Sequence, residues 1–174
     1  MATRARIGLE LKDGSYISSY QHWDGYPGGL GYNLIDHWSD YAKVEEGILQ
    51  GDASVWNYTV GKALGKDDQD DNGRVHSDYQ NVYYMRDKGE KDAHHKKHLN
   101  GVCLIDEGWK SGEDYLYVLR DIGKGYENYQ WFYMKHDDKF TEIKELRPLE
   151  TDAIKEHIEM LNRHLETIKE RKVA

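Results

Sequence analysis

The first 23 residues constrain this chain more than any later stretch. Thr3 to Leu11 and Ser15 to Trp23 are β-compatible segments joined by Lys12-Asp13-Gly14. Asp-Gly supplies the positive φ that a tight hairpin turn requires. In the first strand Ala5, Ile7, Leu9 and Leu11 alternate with Arg4, Arg6, Gly8 and Glu10. That alternation predicts one buried and one wet face. The hairpin runs into Asp24-Gly25-Tyr26-Pro27-Gly28-Gly29, a tight loop by composition.

Helical spacing follows. Leu30, Leu34 and Trp38 predict one helix, and Ser39-Asp40 can cap a second from about Tyr41 to Gln50, with Val44 and Ile48 buried and Gly51 as its C-terminal cap. A short strand is expected around Val55 to Val60, a polar loop over Lys66 to Ser77, and a strand over Asn81 to Arg86. Asp87 to Asn100 reads as an exposed turn or ragged strand, and Val102 to Ile105 as a short strand or helical turn. Tyr115 to Arg120 and Tyr129 to Lys135 predict a second hairpin across the loop Asp121 to Asn128, with an edge strand over Phe140 to Leu146. Ile154, Ile158, Leu161, Leu165 and Ile168 form an a/d stripe on a C-terminal helix that Thr151 or Asp152 can cap. Packing of that stripe on the sheet is the expectation, and pairing with a second copy the alternative. The fold class is α+β: a mainly antiparallel sheet with helices packed on one face and an amphipathic C-terminal helix. At 174 residues the chain is read as one domain, 1–150 forming a core and 151–174 the helix.

Composition narrows function by exclusion. The net charge of −8 argues against binding a long nucleic acid, which needs a basic face. Apolar content of 38% is modest, but 14 Tyr and 5 Trp point to an aromatic core. The absence of any apolar run near 18 residues, or of an apolar leader, predicts a soluble chain that does not engage a membrane. The single cysteine, Cys103, excludes an intrachain disulfide and reads as a small buried hydrophobe.

Thr3-Arg4 opens the first strand, and His22-Trp23-Asp24-Gly25-Tyr26-Pro27, Gly31 and Leu34 follow it. Lys43-Val44-Glu45, Gly51-Asp52-Ala53-Ser54, Arg86-Asp87-Lys88-Gly89-Glu90 and Glu113-Asp114-Tyr115-Leu116-Tyr117 come next in order. Over about residues 3 to 135 this series resembles a widespread family of small phage proteins, found more distantly in bacteria and archaea, without established activity. The acidic insertion around Asp67 to Asn72 and the C-terminal helix depart from the family pattern. The resemblance implies phage origin and action in the cytoplasm of an infected host cell.

His22, Trp23, Asp24 and Tyr26 gather the chemistry, with His37 and Trp38 on the adjoining helix. If Trp23 points inward, His22 and Asp24 share the opposite face, where they can act as a general-base pair or bind a ligand's polar edge. Gly28 and Gly29 permit close backbone approach and can leave N–H groups for an anion. Arg4, Arg6 and Arg86, on predicted strands, are candidates for contacting a phosphate. Tyr115, Tyr117, Tyr129, Trp131 and Tyr133 can line a face as a stacking platform or pack as core. Asp68, Asp70 and Asn72 match the first half of a calcium loop, but Tyr79 stands where a bidentate Glu is needed. His94, His95 and His98 can place two imidazoles on one side of a helical turn, as i,i+4 or i,i+3 pairs do for zinc, or form a solvated turn. With no GxSxG, Walker loop, HExxH or GxGxxG, a binder is favoured over an enzyme, and no cofactor is expected. With the resemblance, the reading is a phage-encoded accessory protein acting in counter-defence: a non-catalytic binder that neutralises a host component, either a small nucleotide-like signal of antiviral defence or a host protein. The alternatives are a hydrolase using His22 and Asp24, and an interaction module acting through the C-terminal helix.

Overall fold

The Asp-Gly turn and the alternation around it produce the predicted hairpin. In the computed structural model, which describes residues 2–123 and 128–173, β1 (Ala5–Glu10) pairs antiparallel with β2 (Tyr16–Gln21), Gly14 at φ +82° closing the turn. The second hairpin, β6 (Tyr115–Asp121) with β7 (Tyr129–Lys135), also forms, although residues 124–127 of its connection lie outside the described residues. The two hairpins join through a parallel seam between β1 and β6, Ala5 opposite Tyr115 and Leu9 opposite Leu119. Beyond β2 lie β3 (Ala53–Val55) and β4 (Val82–Tyr83), and beyond β7 lies β8 (Arg147–Pro148). The order is β4-β3-β2-β1-β6-β7-β8, with β5 (Lys96–His98) also on β2. The sheet is mixed and mostly antiparallel, and the class is α+β as expected.

β1 is central, and its second face is not wet. On one face Ala5, Ile7 and Leu9 join Leu34, Trp38, Val44 and Ile48 from α1 (Tyr32–His37) and α2 (Tyr41–Leu49). On the other, α4 (Gly101–Lys110) brings Leu104 and Ile105 onto Leu116, Val118 and Met134. Gly8 makes room for that helix, since a Cβ there would stand 2.9 Å from a Leu104 methyl. Helices therefore cover both faces rather than one. Tyr115, Tyr117, Tyr129, Trp131 and Tyr133 of β6 and β7 belong to the first core, while Phe132 packs on the second: Tyr117 stacks between Tyr115 and Tyr133 at 6.1 Å to each, and Trp131 and Tyr133 are buried. They pack as core and offer no open platform.

Local differences have local causes. Asp40 caps α2 by accepting from the Lys43 N–H, and Gly51 at φ +96° ends it, as predicted. Asn81 to Arg86 stays extended for two residues only. Asp87 then accepts from the Tyr83 N–H and turns the chain into the short helix α3 (Tyr84–Lys88). Val102 to Ile105 is helical because Asn100 caps α4 through the Cys103 N–H. Cys103 is exposed, on the outer side of that helix, which corrects its reading as a buried hydrophobe. Ile143–Glu145 is a single 3-10 turn, and only Arg147 and Pro148 pair as an edge strand.

Leu149, just before α5 (Glu150–Val173), and Ala153, Glu156 and His157 on it pack against the loop after β2 and against α1. Its apolar stripe does not pack on the sheet. Ile154, Ile158, Leu161, Leu165 and Ile168 are between 38% and 53% exposed.

Candidate functional site

The predicted motif leaves the sheet in three steps. Past β2, the His22 and Trp23 N–H groups still reach the Ala53 and Ser54 carbonyls, so both residues ride on β3. Asp24 then takes a left-handed φ of 57°, which Asp tolerates better than most residues. Gly25 follows, pressed onto β1, where a Cβ would lie 2.7 Å from the Thr3 carbonyl oxygen. Pro27–Gly31 forms one wide turn in which the Gly31 N–H reaches back to the Tyr26 carbonyl, and α1 continues from it. Such π-turns recur at functional sites.

That path leaves Trp23 half in solvent, 48% exposed, as a ridge between two clefts. The smaller cleft, about 370 Å³, runs from Trp23, Asp24 and Tyr26 over Gly28 and Gly29 to Asn33, Tyr58 and His157. The larger, about 1050 Å³, lies on the other side and holds His22, Arg74, His76, Tyr84 and Lys88 with Asp70 and Asp78. Trp23, Asp24, Val55 and Asn57 border both.

The smaller cleft is aromatic and rich in acceptors. Tyr32 stacks on His157 at 3.9 Å, nearly parallel, and Tyr58 tilts over His37 at 4.5 Å. Asp24 and Asp36 border it, and no Lys or Arg does among the described residues. Two amides on its wall have fixed orientations. Asn33 spends its Nδ2 on the Trp56 and Asn57 carbonyls at 2.8 and 2.9 Å, and Gln21 spends its Nε2 on the Trp23 carbonyl. Asn33 Oδ1 and Gln21 Oε1 are buried without a hydrogen-bond partner among the described residues. Buried unpartnered acceptors are costly and so point to a group that satisfies them.

The structure separates the other predicted residues. His22 and Asp24 do not form a pair: the group on His22 Nδ1 is the Tyr20 hydroxyl at 2.6 Å, and the rings of Trp23 and Tyr20 meet its edges. Burial, with the charges of Arg4 and Lys88 nearby, lowers the His22 pKa, which keeps the imidazole neutral near pH 7. Gly28 and Gly29 offer no N–H to an anion. The Gly28 N–H donates to Glu156 at 2.9 Å, its carbonyl accepts from His157, and the Gly29 N–H donates to the Tyr26 carbonyl.

Of the three arginines, only Arg4 stays near the site, where its charge acts on His22, but it borders neither cleft. Arg6 is buried beneath α4, donating to Glu113 at 2.6 Å and to Ser18 at 3.1 Å. Arg86 donates to the carbonyls of Val60, Gly61 and Asn81, pairs with Asp87 and lies over Tyr83. Both serve the fold.

The acidic loop uses its oxygens internally. Asp68 accepts from the Gly65 N–H, and Asp70 accepts from the Asn72 and Arg74 N–H groups. His94 and His95 lie outside the helix expected of zinc ligands, and His98 is buried in β5, bonded to Ser18 at 2.7 Å. Among the described residues no group of three or more His, Cys, Asp or Glu is placed to hold a metal ion.

Sequence reasoning missed Gln21, Asn33, Tyr58, His157 and Met160, all on the smaller cleft. His157 and Met160 arrive from α5, more than 120 residues downstream, and no local pattern marks them. Tyr58 carried one usable signal, an aromatic residue between Asn57 and Thr59 in a stretch otherwise read as strand.

No family model, curated protein or solved structure matches this chain. No described helix is long and apolar enough to cross a membrane.

Proposed function

We propose that the chain is a non-catalytic binding protein for a nucleotide-like ligand held across Trp23. The base lies in the smaller cleft and the phosphate in the larger. The observation that carries this reading is the half-exposed Trp23 ring standing as a common wall between clefts of unlike chemistry. An aromatic face is the usual platform for a base, and stacking of this kind contributes about 1 to 3 kcal/mol per base. The acceptor oxygens of Gln21, Asn33, Asp24 and Asp36 favour a base edge rich in N–H donors. Arg74 and Lys88 border the larger cleft and are the cations available to a phosphate. The likeness of residues 3 to 135 to small phage proteins favours use in an infected host cell, where such a binder would sequester a nucleotide signal of antiviral defence. A hydrolytic role for His22 asks for a carboxylate on its ring, and the group found there is Tyr20.

Calorimetric titration of the full chain with adenosine, AMP, GMP, UMP and cyclic dinucleotides tests the proposal. Expected is binding that Trp23→Ala weakens about 10- to 100-fold, that Lys88→Ala weakens for nucleotides but not for nucleosides, and that favours amino-bearing bases over uracil. No heat and no thermal shift with any of them at millimolar concentration overturns it.

A further inference from the structure

The stripe on α5 has no cover within the described residues of its own chain. Helical geometry advances 100° per residue, so the packed side, through Leu149, Ala153 and His157, sits about a quarter-turn from Ile154, Ile158, Leu161, Leu165 and Ile168. Leu161, Leu165 and Ile158 are each more than half exposed. A row of five branched aliphatic side chains at spacings of four and three is the pattern of a helix that packs against another helix.

The charges along α5 say which helix. Its first half carries Glu150, Asp152, Glu156 and Glu159 against Lys155, and its second half Arg163, Lys169 and Arg171 against Glu166 and Glu170. Placed antiparallel on a copy of itself, the acidic half meets the basic half at both ends. Placed parallel, like charges would run side by side. The stripe is self-complementary in the same orientation. Ile154 meets Leu165 of the second copy, Ile158 meets Leu161, and the dyad repeats both pairs. On one margin Lys155 then approaches Asn162, and on the other His157 approaches His164.

We propose that α5 pairs antiparallel with α5 of a second copy of this chain, making the protein a homodimer. The pairing does not rest on the ligand reading, because the stripe sits about a quarter-turn from the packed side of α5; His157, stacked on Tyr32, flanks the stripe at its margin. Ten Ile and Leu side chains with their polar margins reach only the low end of the roughly 1,200 to 2,000 Å² buried by stable pairs. The dimer is expected to dissociate in the micromolar range.

Sedimentation velocity of the full chain over a concentration series reads the state. Spin labels at Glu170→Cys, in a Cys103→Ser background, read the orientation. Expected are a dimer at tens of micromolar, a monomer for Leu161→Glu and for Ile158→Lys with unchanged circular dichroism, and a label separation of roughly 30 Å from the 1.5 Å rise per residue. A chain that stays monomeric up to millimolar concentration overturns the proposal. So does a label separation near 10 Å, the mark of a parallel pair, or a dimer that both substitutions leave intact.

Discussion

Arg6 Nη2 donates to Glu113 Oε1 at 2.6 Å beneath α4, with 2% and 0% of the two side chains exposed. Burial raises the Glu113 pKa to about 6 even with the guanidinium beside it. Desolvation is therefore the larger influence on this carboxyl. Removing one partner strands the other charge, so Glu113→Ala should cost about 3 to 5 kcal/mol in urea unfolding. A loss below 1 kcal/mol would mean that water reaches Arg6.

His98 makes the same cluster sensitive to acid. Burial, then the nearby Arg6 charge, lowers its pKa to about 4. Because Arg6 donates to Ser18 Oγ, that hydroxyl is free to donate to a neutral His98 Nε2. The unfolded imidazole takes its proton near pH 6.5 and the folded one only near 4, so stability falls as pH drops through that window. Glu113 acts oppositely: its folded carboxyl gains a proton near pH 6, before the unfolded one, and adds stability as pH drops to about 4.5. The His98 window is the wider. His98→Gln keeps an acceptor for Ser18, and wild type should lose about 2 kcal/mol relative to it between pH 6.5 and 4. Parallel pH profiles of urea midpoints for the two proteins would contradict this.

Gly28 seats α5 on the loop after β2. A Cβ there would lie 2.9 Å from the Glu156 backbone carbon and 3.0 Å from the His157 nitrogen. Gly28→Ala should destabilise by about 1 to 3 kcal/mol and open the stack of His157 on Tyr32. The check is thermal unfolding together with the imidazole proton shifts of His157, which should lose their ring-current displacement.

Asn33 ties α1 to the segment after β3 through two donated hydrogen bonds. Asn33→Asp would set a carboxylate oxygen against the Trp56 and Asn57 carbonyls in place of the amide nitrogen. A loss of about 1 to 3 kcal/mol is expected, and weakened ligand binding with it. If the variant is as stable as wild type, the amide is not held in this orientation.

Arg86 is a phosphate candidate by sequence, yet its substitution should report on the fold. Arg86→Ala removes donors to three carbonyls and leaves Asp87 without its cation. Expected is a loss of about 3 kcal/mol or more, with proteolytic nicking between residues 60 and 80. A variant of normal stability and reduced ligand affinity would restore the phosphate role.

Local chemistry makes the two hairpins, α2 with its Asp40 cap and the helical nature of α5 legible in the amino-acid order alone. Partner choice at a distance is not legible there. The alternation in β1 correctly places Ile7 and Leu9 inward, but Arg6 reads as solvent-facing until α4 and Glu113, the latter 107 residues away, cover it. Arg86 misleads for the same reason, its acceptors being backbone carbonyls that carry no sequence signal. In the site, the motif from Trp23 to Gly29 lies where the cleft is, because turn residues announce themselves. The opposite wall does not, since His157 and Met160 belong to a helix whose visible pattern is its apolar stripe.

The parallel seam between β1 and β6 has a kinetic consequence. Each hairpin can close from residues near in sequence, but joining them encloses more than 90 residues of intervening chain, a slow step for any sheet. The smaller cleft waits longer still, because its far wall is α5 seated on Gly28. During synthesis the chain can hold a nascent sheet long before it can hold a ligand. A ribosome stalled before residue 160 should display a folded hairpin that binds nothing.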